Sequence, residues 1–193
     1  MKKLSLIAIL IAAFSLSFTL VPQTTWTYDS NHAKVGFSAT HMMVSDVEGY
    51  FKKATATLTS TKADFTDAVV EMTADANSIF TDNDMRDSDL KGTGFFEVEK
   101  YPNLSFKSFY FKKTKTPNTY FVKGNLTMHG VTKPVSLTAI ARMGTNPMSK
   151  KTIAGFKITG KLKRTDFGIG PNVPTAIVAD EIIIDCNAEF IKN

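Results

Sequence analysis

The sequence predicts an all-β fold: an eight-stranded antiparallel barrel with one short helical insertion around residues 82–91. Eight stretches carry hydrophobic side chains at every second residue, and a long charged interruption at residues 77–101 separates the third from the fourth. A two-residue period places alternate side chains on opposite faces of a strand. Closure into a barrel removes the exposed edges that an open sheet of eight such strands would have. A sandwich of two sheets has the same alternation and is the alternative.

The N-terminal segment precedes the strands and has the pattern of a secretory signal peptide. Two lysines lead into an uncharged hydrophobic stretch at residues 4–14, and small residues follow. We expect a signal peptide over residues 1–21, cleaved at a position from 17 to 22, and then a single domain over residues 22–193. That domain would be periplasmic or secreted. An uncleaved anchor helix is the alternative, because the hydrophobic segment reaches the lower limit for spanning a bilayer.

Four alternating stretches predict the first half of the barrel. Residues 33–39 alternate small or hydrophobic side chains with polar ones, and residues 49–59 alternate alanine and leucine with threonine. Residues 68–76 carry valine, methionine and alanine at every second position, and residues 104–112 are rich in phenylalanine. Such patterns are typical of strands with one buried face.

The interruption after the third strand predicts a short helix. Charged residues crowd together over residues 82–89, where Asp82 or Asp84 could cap a helix that Gly92 ends. Phe95 and Phe96 then return the chain to the core. An insertion of this length is more often a functional or covering element than an ordinary turn.

Four further stretches complete the predicted barrel, at residues 120–128, 134–142, 153–162 and 180–190. Turn-forming residues separate the strands, with Pro-Asn at 117–118 and runs rich in glycine and proline later in the chain. In the last stretch isoleucine, cysteine, alanine and phenylalanine share one face, opposite acidic and amide side chains.

The hydrophobic faces of these strands predict a lumen that is almost purely apolar. Phenylalanine supplies 15 of the aromatic residues, against 5 Tyr and 1 Trp, which favours hydrocarbon surface over hydrogen-bonded rings. Alanine and glycine on the same faces leave room for a ligand, although small barrels are often solid. The predicted lumen residues are Val35, Phe37, Phe51, Val70, Met72, Phe106, Leu126, Met128, Leu137, Phe156, Ile158 and Ile184.

Charge and motifs argue against several other functions. The net charge of +5 is dispersed, whereas nucleic-acid binding needs clustered basic residues. No phosphate-binding loop, dinucleotide fingerprint or Gly-x-Ser-x-Gly motif is present in the sequence. The three histidines, His32, His41 and His129, lack the spacing of a zinc site. We therefore expect no nucleic-acid partner, no metal, no cofactor and no enzymatic activity.

Two kinds of polar or reactive side chain remain. The single cysteine, Cys186, cannot form an internal disulfide and is expected to be a buried, inert thiol. An enzyme would need a polar cluster at the barrel mouth, and salt bridges such as Arg86 with Asp87 or Asp166 are the simpler expectation. The candidates for a polar mouth are Arg86, Asp87, His129, Arg164 and Asp166.

Read together, five motifs resemble those of the YceI-like family, which is also called polyisoprenoid-binding. They cover nearly all of the chain after the signal peptide, in the right order and spacing. One departure is Asp89, which stands where the family commonly has a histidine in Arg-Asp-any-His-Leu. The motifs lie at Trp26–Phe51, Ser78–Ser108, Gly124–Val135, Arg164–Ile169 and Val178–Ile182.

The resemblance implies a lipocalin-like barrel that holds an isoprenoid or acyl lipid, with no established catalytic site. Binding, carriage or storage of such a lipid is therefore the predicted function. Transient membrane contact and a homodimer both stay open. The alternatives are a non-catalytic envelope interaction or stress module with a filled core, and an isoprenoid-modifying or stress-response enzyme.

Overall fold

A computed structural model describes residues 23–193, and these form eleven strands and one α-helix. Short 3₁₀ turns lie at Ser30–His32, Ala76–Ser78 and Arg164–Phe167. The helix, α1, spans Asp84–Lys91. The strands are β1 (Thr24–Tyr28), β2 (Val35–His41), β3 (Ser45–Phe51), β4 (Ala54–Ser60), β5 (Val69–Asp75), β6 (Ile79–Phe80), β7 (Asn103–Lys113), β8 (Thr119–Met128), β9 (Val131–Thr145), β10 (Thr152–Lys163) and β11 (Val178–Lys192).

Eight of these strands close into an antiparallel barrel, which confirms the predicted fold class. Their order is β1-β4-β5-β7-β8-β9-β10-β11, and β1 pairs with β11 to close the ring. In the closing pair Trp26 lies opposite Lys192, and Tyr28 lies opposite Phe190. The alternative of a two-sheet sandwich is wrong, because every strand of this ring has a partner on both sides.

Two of the eight predicted stretches do not correspond to single strands of the ring. The stretch 49–59 is divided between β3 and β4, because the chain turns at Lys52 and Lys53. The stretch 33–39 belongs to β2, which lies outside the ring and joins β3 and β6 in an extension from β11. The ring instead contains β1, which is not among the predicted strands and which pairs with β4 and β11.

The strand β11 explains this arrangement because it is long enough to pair with two strands along one edge. Its C-terminal end pairs with β1, and the segment from Val178 to Ile184 pairs with β2. The 3₁₀ turn at Ser30–His32 separates β1 from β2. This turn leaves two short alternating stretches in the sequence, β1 and β2. Of these, only the seven residues of β2 are long enough for the two-residue period to be recognised, since β1 has five.

The helical insertion forms where the sequence predicts it, but with a different cap. The side chain of Asn83 accepts a hydrogen bond from the backbone N–H of Arg86, and Gly92 follows the last turn. Asp82 has a left-handed φ of 63°, so it belongs to the preceding turn, and Asp84 is already the first helical residue. The prediction that Asp82 or Asp84 caps the helix is therefore wrong.

The predicted signal peptide of residues 1–21 lies outside the described residues, so it stays a prediction. Within residues 23–193, no helix is both long enough and apolar enough to cross a membrane.

Candidate functional site

The barrel encloses a cavity of about 250 Å³ whose accessible wall is entirely apolar. An engineered cavity of about 150 Å³ already admits benzene, and pockets for drug-sized ligands start at about 300 Å³. The space therefore suits a slender hydrocarbon chain better than a broad polar molecule.

The strands place their inward-facing side chains on this wall, as the two-residue period requires. All twelve predicted lumen residues line the cavity, from Val35 in β2 to Ile184 in β11. Their role in ligand binding stays a prediction. Five alanines also belong to the wall and create space by their small size: Ala39, Ala56, Ala74, Ala139 and Ala188.

The insertion after β6 contributes wall residues that strand periodicity does not reveal. Leu90 of α1 and the following Phe95 and Phe96 line the cavity. The ring of Phe96 packs edge-on against Phe51, with ring centroids 5.8 Å apart. The signal in the sequence is a pair of phenylalanines directly after a charged helix, and the insertion is thus a covering element over the barrel.

Aromatic side chains close one end of the cavity, which we call the closed end. Phe65, in the loop between β4 and β5, packs against Trp26 and Phe156 with centroid distances of 5.4 Å in both pairs. Phe111 packs on Tyr120 and Phe156 at the same end. All of these rings are buried. Phe65 has a φ of 58°, an unusual conformation for a bulky residue, so packing must hold it there.

The carboxylate of Asp67 holds the loop that carries Phe65 in place. Asp67 accepts hydrogen bonds from the Ser60 hydroxyl, from the backbone and side chain of Thr61, and from the Lys62 N–H. Burial favours the protonated form, but these hydrogen bonds outweigh it, and the pKa of Asp67 lies well below its ordinary value. The side-chain hydrogen bond from Lys113 is the main cause that lowers the pKa of Asp64 to about 2.

The opposite end, beneath α1, is the open end. Leu90, Phe95 and Phe96 are only half-buried there, in contrast to the fully buried rings of the closed end. The 3₁₀ turn at Arg164–Phe167 and the loop that follows it lie at this end, and Ile169 and Val178 contribute wall residues. The Gly170 N–H of this loop donates to the carbonyl oxygen of Gly94, so the loop and the insertion are in contact at this end.

Cys186 lies on the cavity wall, on the face of β11 that the alternation predicts. Its sulfur is 3.6 Å from the carbonyl oxygen of Gly36. Burial raises the pKa of the Cys186 thiol to about 11. A thiol with this pKa stays protonated at neutral pH and is a poor nucleophile.

The five predicted polar candidates do not meet in one cluster. Arg86 and Asp87 bind Thr81 rather than each other: Asp87 accepts from the Thr81 N–H and hydroxyl at 2.8 and 2.6 Å, and Arg86 donates to the Thr81 hydroxyl and carbonyl oxygens. Asp166 pairs with Lys133 at 3.1 Å. The expected salt bridges of Arg86 with Asp87 or Asp166 are therefore wrong, because backbone and hydroxyl partners lie closer.

Arg164 is buried and lines the open end of the cavity, but its donors are already used. Its guanidinium donates to five carbonyl oxygens in the following loop and at the start of β11. Those acceptors belong to Ile169, Gly170, Val173, Val178 and Ala179. Arg164 therefore holds the loop at the open end in place.

His129 joins three segments at the same end. Its Nδ1 lies 3.1 Å from the carbonyl oxygen of Phe167, and its Nε2 lies 3.5 Å from a carboxylate oxygen of Glu97. Its ring packs on Tyr101 with centroids 4.7 Å apart. These contacts connect the β8–β9 turn to the insertion and to the 3₁₀ turn, so the contacts of His129 stabilise the fold at this end.

The three histidines lie in different parts of the fold. His32 follows β1, His41 ends β2, and His129 forms the β8–β9 turn. Among the described residues, the ligand atoms of Asp29, His32 and Glu189 lie within 4.8 Å of one another. His32 is exposed and hydrogen-bonded to Asp29 at 3.0 Å, so these two side chains already contact each other at the surface.

Comparisons with known proteins agree with the fold. A family model described as the YceI-like domain matches residues 26–190. Protein YceI of Salmonella newport (strain SL254) is 35% identical over 157 residues, which cover 81% of each chain.

Solved structures show the same architecture. The crystal structure of Burkholderia cenocepacia BcnA has a TM-score of 0.73 and 26% identity, covering 84% of this chain and 98% of that one. A polyisoprenoid binding domain from Saccharophagus degradans has a TM-score of 0.62 and covers 87% of this chain and 98% of that one. Its identity of 12% shows a common fold only.

Proposed function

This chain belongs to the YceI-like family, and from that premise we propose that it binds a long-chain isoprenoid or another lipid inside its barrel. The observation that carries the proposal is the cavity, whose accessible wall offers no polar atom to a ligand. The binding of polyisoprenoid by a protein of the same fold supports the same ligand class.

Hydrophobic transfer is sufficient to drive such binding. A buried methylene group contributes about 0.8 kcal/mol, so a five-carbon isoprene unit contributes on the order of 3 to 4 kcal/mol. Micromolar affinity needs about 8 kcal/mol after association costs of about 4 to 15 kcal/mol. Four to six buried units would therefore suffice, and chain length should matter more than headgroup.

We further propose that the protein carries or stores this lipid in the periplasm or outside the cell. The predicted signal peptide of residues 1–21 supports this location. Carriage without chemistry agrees with the polar side chains, since Arg86, Asp87 and Arg164 satisfy groups of the fold itself. The alternative module with a filled core does not fit the open cavity.

Extraction and uptake test the proposal directly. Mass spectrometry of an organic extract of the purified protein should detect a long prenyl or acyl molecule, and lipid-free protein should take up geranylgeraniol. An empty extract together with no uptake would overturn lipid binding.

A matched pair of variants locates the binding to the lumen. Ala139→Phe fills the cavity from β9, and we expect uptake to fall by about tenfold or more because several methylene contacts are lost. Ser136→Phe adds the same ring to an outward-facing position of β9 and should leave uptake unchanged. Equal uptake by both variants would place the lipid outside the barrel.

A further inference from the structure

An exposed hydrophobic loop lies next to the open end of the cavity. The connection between β2 and β3 consists of Met42, Met43 and Val44, which are 55%, 78% and 86% exposed. The Met42 N–H donates to the carbonyl oxygen of Ile177, which is itself 43% exposed and lies in the loop before β11. These two segments therefore form one surface.

This surface has no charged side chain. Residues 42–45 and 167–178 contain no Asp, Glu, Lys or Arg, in a chain in which these make up 21% of residues. We call the exposed part of it, residues 42–45 and 171–177, the uncharged rim.

The backbone of the loop indicates that its methionines are not there for stability. Met42 and Met43 both have a left-handed φ, of 49° and 60°. Glycine and asparagine adopt this conformation with the least strain, and they are the usual residues in tight hairpin loops. Two methionines in this place present flexible hydrophobic side chains to solvent at the expense of backbone strain.

The uncharged rim continues into the cavity wall. Val178, which follows the rim in sequence, and Ala39, close to the loop in β2, both line the cavity. Residues rise by about 3.3 Å along a strand, so the loop begins within about 10 Å of Ala39. The rim therefore lies close to the apolar wall, with His41 on the same face of β2 between Ala39 and the loop.

We propose that the uncharged rim docks the protein onto the hydrocarbon boundary of a lipid bilayer, where the ligand enters or leaves the barrel. The inference rests on the proposed lipid-binding function and assigns its membrane contact to a particular surface. Few side chains project from the loop, whereas a stable protein interface needs about 800 Å² on each partner. A narrow hydrophobic loop without charges is suited to shallow insertion between lipids.

Vesicle flotation tests the docking with a variant that should fold at least as well as the wild type. Met42→Asn combined with Met43→Gly suits the left-handed backbone and removes both hydrophobic side chains. We expect the fraction bound to phosphatidylcholine vesicles to fall by about tenfold, with little dependence on salt because the rim is uncharged. Met148→Asn is the matched control, since Met148 is 88% exposed in the β9–β10 turn at the other end of the barrel.

Two further measurements separate this proposal from the function on which it rests. Geranylgeraniol added without vesicles should bind the double variant as it binds the wild type, while its transfer between vesicles slows by about the same factor as docking. If the wild type takes up no geranylgeraniol but floats through the rim, lipid binding fails and docking stands. Equal flotation of the variant and wild type overturns docking.

Sedimentation in the absence of vesicles gives the remaining outcome. We expect the same concentration dependence for the wild type and for the double variant. If the wild type forms a dimer that the variant does not, the rim meets a second copy of this chain and the membrane proposal is overturned.

Discussion

At Gly124 in β8, the ring of Phe106 occupies the space that a side chain would need. A methyl group there would lie 2.3 Å from the Phe106 ring and 2.6 Å from the backbone oxygen of Lys107. The ring can turn away, but the backbone oxygen is held in the β7–β8 pair. We therefore expect Gly124→Ala to lower the free energy of unfolding by about 1–3 kcal/mol, as overpacking does.

Urea denaturation measures this loss, and Gly155→Ala is the control. A methyl group at Gly155 has a single neighbouring heavy atom at 4.0 Å, so this variant should match or exceed the wild type. A Gly124→Ala protein as stable as Gly155→Ala would contradict the close packing of Phe106.

At this scale the sequence predicts the cavity wall well and the polar residues poorly. Alternation identifies residues such as Val70 and Ile184, because a strand has only two faces. It cannot identify the partners of Arg164, whose guanidinium finds backbone carbonyls in a loop without regular geometry. A charged residue type in a sequence does not reveal whether its partner is a ligand, a carboxylate or the backbone.

The helical insertion is the element on which the cover of the cavity depends, and Asp87 fixes it. The carboxylate is buried and accepts two hydrogen bonds from Thr81, between β6 and α1. Asp87→Ala would leave the buried Thr81 N–H without this partner, which costs about 1–3 kcal/mol. We expect faster hydrogen exchange at Thr81 and along α1, measured by NMR or mass spectrometry.

A second acidic residue of the same helix provides the control. Asp89 is exposed, so Asp89→Ala should leave exchange at Thr81 unchanged. If Asp87→Ala accelerates exchange uniformly over the barrel instead, the carboxylate stabilises the whole fold and not the insertion in particular.

The loop between β4 and β5 makes the closed end sensitive to acid. Hydrogen bonds hold the pKa of Asp67 below its ordinary value of 3.8, and the pKa of Asp64 is about 2. A lowered pKa in the folded state stabilises the fold above the unfolded value, and this contribution is lost as pH falls through the folded value. Stability should therefore decrease from about pH 4 downwards.

Urea unfolding between pH 7 and pH 2 measures the effect, with Asp67→Asn for comparison. The variant should be less stable than the wild type at pH 7, and the difference should shrink as the pH falls below about 4. A difference that stays constant down to pH 2 would show that the charge of Asp67 is not what holds the loop.

Elements differ in how far the sequence predicts them. The predicted helix bounds lie within two residues of the observed ones, because the crowded charges and Gly92 mark the two ends of the helix. The cap is not predicted, because the left-handed φ of Asp82 places that residue in the turn before the helix and leaves Asn83 as the cap. β1 escapes detection because only five residues alternate before the chain turns. One edge of β11 pairs with two strands in succession, β2 and β1, and no local sequence pattern contains this tertiary pairing.

Rings close one end of the barrel and the insertion covers the other, so we expect a bound lipid to be selected by its chain length. Phe111 lines the cavity at the closed end and packs on Tyr120 and Phe156. Phe111→Leu would deepen the cavity by space for about two methylene groups, each worth about 0.8 kcal/mol when buried. The ratio of affinities for a long and a short prenyl alcohol should shift by roughly tenfold towards the longer one.

Phe96→Leu is the control that distinguishes the depth of the cavity from its total volume. Phe96 lines the same cavity as Phe111 but lies at the open end. This variant enlarges the entrance without lengthening the barrel, so the ratio of affinities for geranylgeraniol and farnesol should stay at the wild-type value. Competition binding with both alcohols gives the ratio for each variant. If Phe96→Leu shifts the ratio as much as Phe111→Leu does, total volume selects the ligand, and the closed end does not set its length.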